Sequence, residues 1–308
     1  MELSELPGRI ANMSGSIVVA VDGSEQALAA VDWAVDDALR RDAALKIVHV
    51  REPWANEYPF HAVEGFSESV SDYCEGVLAH ARERAAERAG GRAPGLTVTT
   101  DLATGTVVER LTDESERADL LVIGSRGMGG FAGLVLGSVG LGLAARAAAP
   151  LVVVRDVRHE PYDEVVVGFD GSPHSESAVA FAFEEARLRG ARVRAVNAWQ
   201  PPMLSPLAGG YGAVMGEIFD AEAESFRRRL APWRQEYPDV PLVESAVCGH
   251  PISALSEASR TADLVVVGTR GVGEVKGALL GSVSHGILHR AHCPIAVVRA
   301  EKPGKASD

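Results

Sequence analysis

Gly124-Ser125-Arg126-Gly127 is followed, after nine residues, by Gly137-Ser138, and the same pattern returns as Gly268-Thr269-Arg270-Gly271, nine residues and Gly281-Ser282. Each copy follows an apolar run, Leu120 to Ile123 or Leu264 to Val267. A strand, a glycine turn, a spacer and a helix opening on a small residue make a cradle suited to phosphate. Glycines let backbone N–H groups approach an anion with no side chain between, and a helix start offers free N–H groups and the positive end of its dipole. Each such charge interaction is worth about 0.3–1 kcal/mol at an exposed site.

Upstream of the first copy, Ile17-Val18-Val19-Ala20-Val21-Asp22-Gly23-Ser24 returns 148 residues later as Val165-Val166-Val167-Gly168-Phe169-Asp170-Gly171-Ser172. Ala118-Asp119-Leu120 returns after 144 residues as Ala262-Asp263-Leu264, so the first half carries four additional residues between Val48 and Gly105. The chain is an internal repeat. Its 308 residues suit two domains of about 150 each. The boundaries expected are 14–156 and 162–300, with the mixed-charge stretch Arg155–Asp163 between them.

Within each half, strands alternate with helices. Ile17–Val21 is a short continuous apolar run, as in a parallel strand covered on both faces. Ser24 is a good N-cap, and Ser172-Pro173 is a stronger one, with proline at the first helical position. The helix after Ser24 spaces Ala27, Leu28, Val31, Ala34, Val35 and Ala38 along one face, with Asp32, Asp36 and Asp37 expected elsewhere. Further strands are expected at Ala44–Val50 and Thr97–Leu102, with counterparts at Arg192–Ala198 and Leu242–Val247. Long helices are expected near Glu68–Arg88 and Val214–Gln235, and last strands at Leu151–Val154 and Ile295–Val298. The order implies an α/β fold of two doubly wound parallel sheets with right-handed crossovers. Ligands in such sheets sit beyond the carboxyl ends of the strands where the order reverses. If strands one and four are neighbours, Asp22 and the Gly124 turn share one crevice.

Composition narrows the partners. A formal net charge of −12 argues against nucleic acid or an anionic membrane surface. Cys74, Cys248 and Cys293 are far apart and read as reduced thiols, no stretch reaches the length of a membrane span, and the first sixteen residues lack a secretory pattern. A cytoplasmic protein is expected.

The Asp at the first strand tip, G-x-x-G, nine residues and G-S resemble the nucleotide-binding signature of the universal stress protein family. Two such modules resemble its tandem members, over a span from Ser16 to Arg299 that includes the ending Cys293–Val298. The resemblance implies adenine nucleotide alpha hydrolase-like modules, each with a five-stranded sheet of order 3-2-1-4-5. It also implies one ATP per module, with Mg2+, and pairing through the last strand, in a homodimer as well as between modules. Carried over by position, Ala20, Val21, Asp22 and the backbone at Val50 would hold the adenine and ribose end. Gly124, Arg126, Gly127, Gly137, Ser138 and Val139 would hold the phosphates. The matching set is Gly168, Phe169, Asp170 and Ala198, then Gly268, Arg270, Gly271, Gly281, Ser282 and Val283. Two departures stand out: Val21 becomes Phe169, and Gly130 becomes Glu274, an acid beside the spacer that would weaken triphosphate binding in the second half if it points inward, which puts equal affinity of the two sites in doubt.

Chemistry beyond binding has little support. No G-x-x-x-x-G-K-[ST] occurs, so the lysine of a P-loop is missing. Nor is there a kinase set, and phosphoryl transfer needs a positioned nucleophile and compensating charge. The reading is a nucleotide-dependent regulator or sensor in stress or dormancy, with an unidentified protein partner. A slow ATPase and a nucleotide-free dimerising scaffold are the alternatives. His285, His289 and His292 lack a fourth ligand, and the first half has Leu141, Ala145 and Ala148 there, so a half-exposed helix face is expected rather than a metal site. Trp33, Trp54, Trp199 and Trp233 read as packing residues, and Arg227–Arg229 as a solvated helix face.

Overall fold

The computed structural model describes residues 15–53, 66–90, 95–127, 136–155, 160–200, 211–270 and 280–300. These form two compact units. The N-terminal unit takes in the described residues up to 155 together with Cys293–Arg299, and the C-terminal unit takes in Glu160–His292 with Ala300.

In the N-terminal unit, β1 (Ser16–Ala20) has its three central residues buried, as its apolar run requires. It pairs in parallel with β2 (Ala44–Arg51) on one side and β4 (Leu120–Gly124) on the other. β3 (Val98–Thr104) lies outside β2, and β5 (Leu151–Val154) outside β4, both parallel. The order is therefore 3-2-1-4-5. The chain's last strand, β10 (Ile295–Val298), then adds antiparallel to β5, with Val152 opposite Ala296. Arg299, just past β10, donates to the carbonyls of Ala145 and Ala147 at the end of α4 (Ser138–Arg146).

Ser24 caps α1 (Glu25–Arg41) by accepting the Ala27 N–H at 3.2 Å. The apolar face of α1 is buried as its spacing predicts, but Asp32 and Asp37 are buried with it, contrary to expectation. Each is paired: Arg84 of α2 (Phe66–Ala89) makes two bonds to Asp32 at 2.6 and 2.7 Å, and Arg41 reaches Asp37 at 2.7 Å. Arg88 of α2 pairs with Asp36 one turn on. Helix α2 thus docks on α1 through two arginine–aspartate pairs flanking buried Cys74, Val77, Ala81 and Ala85. Helix α3 (Val107–Ser115) completes the unit.

The C-terminal unit repeats the plan. β6 (Glu164–Gly168) lies between β7 (Arg192–Trp199) and β9 (Leu264–Gly268), and β8 (Leu242–Cys248) flanks β7, all parallel. In repeat numbering that is 3-2-1-4. The fifth strand of this repeat is β10, which packs into the N-terminal unit. Ser172 caps α5 (Pro173–Arg189), with Pro173 in the first turn. Helix α6 (Tyr211–Glu236) packs on α5 through aromatic rings: Phe183 stacks on Tyr237 at 5.0 Å and on Trp233 at 6.2 Å, and the Tyr237 hydroxyl donates to Glu184 at 2.8 Å. Helices α7 (Pro251–Ala258) and α8 (Ser282–Arg290) lie on the other side. Trp33 and Trp233 are buried and Trp199 rests on Phe219; Trp54 lies outside the described residues.

Candidate functional site

Both repeats build the same turn where the first strand ends. The Asp22 carboxylate accepts from the N–H of Ser24 at 3.0 Å and from its hydroxyl at 2.6 Å, and Asp170 accepts from the Ser172 N–H at 2.9 Å. An aspartate bonded two residues on is an Asx turn. It needs the intervening glycine, because Gly23 and Gly171 take φ of 92° and 79°, in the left-handed region. The carbonyl before each aspartate is held by the second strand: His49 Nδ1 lies 2.8 Å from Val21 O, and Asn197 donates to Phe169 O at 2.9 Å. Since a carbonyl only accepts, the buried His49 carries its proton on Nδ1.

The glycine turns meet these aspartates. A Cβ on Gly127 would run into Asp22 Oδ2, and the Ser24 hydroxyl lies 3.4 Å from the Arg126 carbonyl. Asp22 and the Gly124 turn therefore share one crevice, as the strand order requires. Gly124 and Gly268 have another use. A Cβ there would sit 2.7 Å from the Gln26 carbonyl or 2.5 Å from the His174 carbonyl, in the first turn of α1 or α5. Their bare Cα atoms admit a helix start. Gly137 and Gly281 are the N-caps of α4 and α8, and their N–H groups are spent on Ser125 O at 3.0 Å and Thr269 O at 2.7 Å. The N–H groups left without intrahelical acceptors belong to the residues that follow, Ser138 and Val139, or Ser282 and Val283.

In the C-terminal unit these parts line a cleft of about 240 Å3. Of the expected residues, Gly168, Phe169, Asp170, Ala198, Gly268, Arg270, Gly281, Ser282 and Val283 all line it. Gly271 and Glu274 lie outside the described residues, as does Gly130 in the other repeat. Arg270 Nε is buried without a hydrogen-bond partner among the described residues. A buried N–H left unpaired costs about 1–3 kcal/mol, more for a charged group, which an anion in the cleft would recover. In the N-terminal unit, Ala20 and Val21 lead into Asp22 and Val50 pairs with Ala103 beside it, while Arg126, Gly127 and Ser138 are exposed.

Sequence reading missed several contributors. Ser175, Val196, Pro251, Leu255, Val267 and Ser284 also line the cleft. Ser284 carried a signal, a small polar residue two places beyond Gly281-Ser282; Leu255 carried none beyond helical spacing. Arg227–Arg229 are all exposed, as expected of a solvated helix face. Arg227 pairs with Glu224 and Glu244, and Arg229 Nη1 donates to the Asp170 carbonyl at 3.3 Å. In the other repeat the Tyr73 hydroxyl donates to the Asp22 carbonyl, also at 3.3 Å. Burial first and the Asp22 charge second raise the Tyr73 phenol above its ordinary pKa, so it stays neutral. Burial likewise raises the Cys74 thiol and keeps it unreactive.

His285 is exposed on α8 and His289 half-buried one turn on, their ring centroids 5.0 Å apart. Among the described residues no group of three or more His, Cys, Asp or Glu is placed to hold a metal, and no helix is long and apolar enough to cross a membrane.

The model of the universal stress protein family matches the chain twice, at residues 13–155 and 161–299. A universal stress protein of Mycobacterium tuberculosis is 39% identical over 292 residues, covering 92% of this chain and 96% of its own. One from Mycolicibacterium smegmatis is 35% identical over 293 residues, with 92% and 96% covered. Among solved structures, a universal stress protein from Archaeoglobus fulgidus matches with a TM-score of 0.65 over 95% of this chain and 99% of that one; at 19% identity the likeness concerns the fold.

Proposed function

The chain belongs to the universal stress protein family, and from that premise we propose that it binds ATP, one per module with Mg2+, as a cytoplasmic regulator in stress or dormancy. One observation carries the reading. Asp170 from the first strand tip, Gly268 and Arg270 of the glycine turn, and Ser282 at the start of α8 line a single cleft, and Arg270 Nε has no hydrogen-bond partner among the described residues. A largely apolar cleft lined by a carboxylate and by the N–H groups of a helix start suits a ligand with a flat base, a ribose and phosphates. The proposed contacts are those expected above, with Gly124, Gly268, Gly137 and Gly281 shaping the cradle while Ser138, Val139, Ser282 and Val283 supply N–H groups. The proposal includes no efficient catalysis, since neither a P-loop lysine nor a positioned base accompanies the cradle. Self-association belongs to it as well, but not through the outer edge of β5, which β10 already covers.

The test is thermal. Ligand at 100 times its dissociation constant stabilises the folded state by about 2.7 kcal/mol. Millimolar Mg-ATP is expected to raise the melting temperature by several degrees, and the purified protein to carry adenine nucleotide. Neither a shift nor co-purified nucleotide would sink the proposal.

A further inference from the structure

We infer that the two nucleotide sites are not equivalent: in the C-terminal unit the glycine turn is held in shape by Ser284 and the aspartate turn carries Arg229, and the N-terminal unit has neither. The inference rests on the nucleotide reading above and assigns the tighter polyphosphate site to the C-terminal unit.

The first turn of α8 is tied to the glycine turn at two points. The N-cap Gly281 donates its N–H to Thr269 O, and Ser284, 2% exposed, donates its hydroxyl to Gly268 O. The Thr269 hydroxyl in turn lies 3.2 Å from His174 Nδ1 on α5, which also accepts the Ala300 N–H at 3.2 Å. In the N-terminal unit, among the described residues, only the first tie exists, from Gly137 N–H to Ser125 O at 3.0 Å. The position of Ser284 is taken by Gly140, which has no hydroxyl to donate, and a Cβ there would sit 2.7 Å from Leu136 Cδ1. A turn already fixed in its binding shape does not lose that freedom when ligand arrives, whereas an untied turn does.

Charge points the same way. The carbonyl of the site aspartate is met by the Arg229 guanidinium in one unit and by the neutral Tyr73 hydroxyl in the other. A guanidinium keeps its charge at any physiological pH. It therefore adds attraction for an anionic ligand at the C-terminal site, and as an exposed group it does so in a salt-dependent manner.

Calorimetric titration of Mg-ATP into the full chain tests this. Two classes of site are expected. Ser284→Ala, which keeps the Cβ and removes only the hydroxyl, should weaken the tighter class about threefold to tenfold and leave the other unmoved; Ser284→Thr should restore it. Arg229→Gln should flatten the salt dependence of the tighter class alone, a change that loss of packing would not produce. Two equal classes, or a tighter class indifferent to Ser284→Ala, overturn the inference and leave the nucleotide reading standing. Absence of any ATP binding removes both.

Discussion

Gly124 and Gly268 carry a packing role that the local sequence does not show. Glycine at the head of the turn suggested room for a phosphate, and the backbone of Gln26 or His174 needs room there as well. A methyl group at 2.5–2.7 Å from a carbonyl forces the helix start away from the strand. Gly268→Ala is therefore expected to destabilise the C-terminal unit by about 1–3 kcal/mol, read as a fall in urea midpoint without nucleotide. A midpoint within error of the parent would leave Gly268 to the ligand alone. The Asp-Gly-Ser turns were legible because their chemistry is local: cap, aspartate and left-handed glycine lie within three residues. Arg229 and Tyr73 were not legible. Each reaches an aspartate carbonyl from a helix more than fifty residues away, and the two do not correspond in the repeat.

The same contrast holds for elements. The sequence pattern located β1 to β10 to within a residue or two, most directly for buried strands such as β1, β5 and β6, which are continuous apolar runs. It misplaced Asp32 and Asp37, because a carboxylate on a buried face depends on an arginine that the local pattern does not show. The repeats have also diverged in how their long helices dock. Ion pairs join α1 to α2, while rings and the Tyr237–Glu184 bond join α5 to α6. Burial first, then the bond to Glu184, raises the Tyr237 pKa above its unfolded value. The folded state thus holds the phenol proton more tightly than the unfolded state. That contribution is complete below the ordinary tyrosine pKa of about 10 and is lost as pH climbs beyond it. Tyr237→Phe should lower stability by about 1 kcal/mol at neutral pH and soften the decline above pH 10. A decline as steep as the parent's would exclude Tyr237 as its source.

At the scale of the molecule, the repeat was legible, and the family matches the chain twice. The destination of β10 was legible only as a pairing of last strands; that its seven-residue segment, Cys293–Arg299, is packed as part of the N-terminal unit is a matter of the fold. Arg299 closes that arrangement by donating to the last carbonyls of α4, the helix whose other end opens at Ser138. Arg299→Ala should cost about 1.5–3 kcal/mol and speed amide exchange in the last turn of α4. Exchange unchanged there would mean that water serves those carbonyls equally well. Strand β10 also sets a schedule for biosynthesis. Domains on a ribosome generally fold as they emerge, first part first. Here the strand that covers β5 is made long after β5 itself, so an N-terminal unit that folds first would keep β5 as a bare edge, open to stray pairing, until β10 arrives.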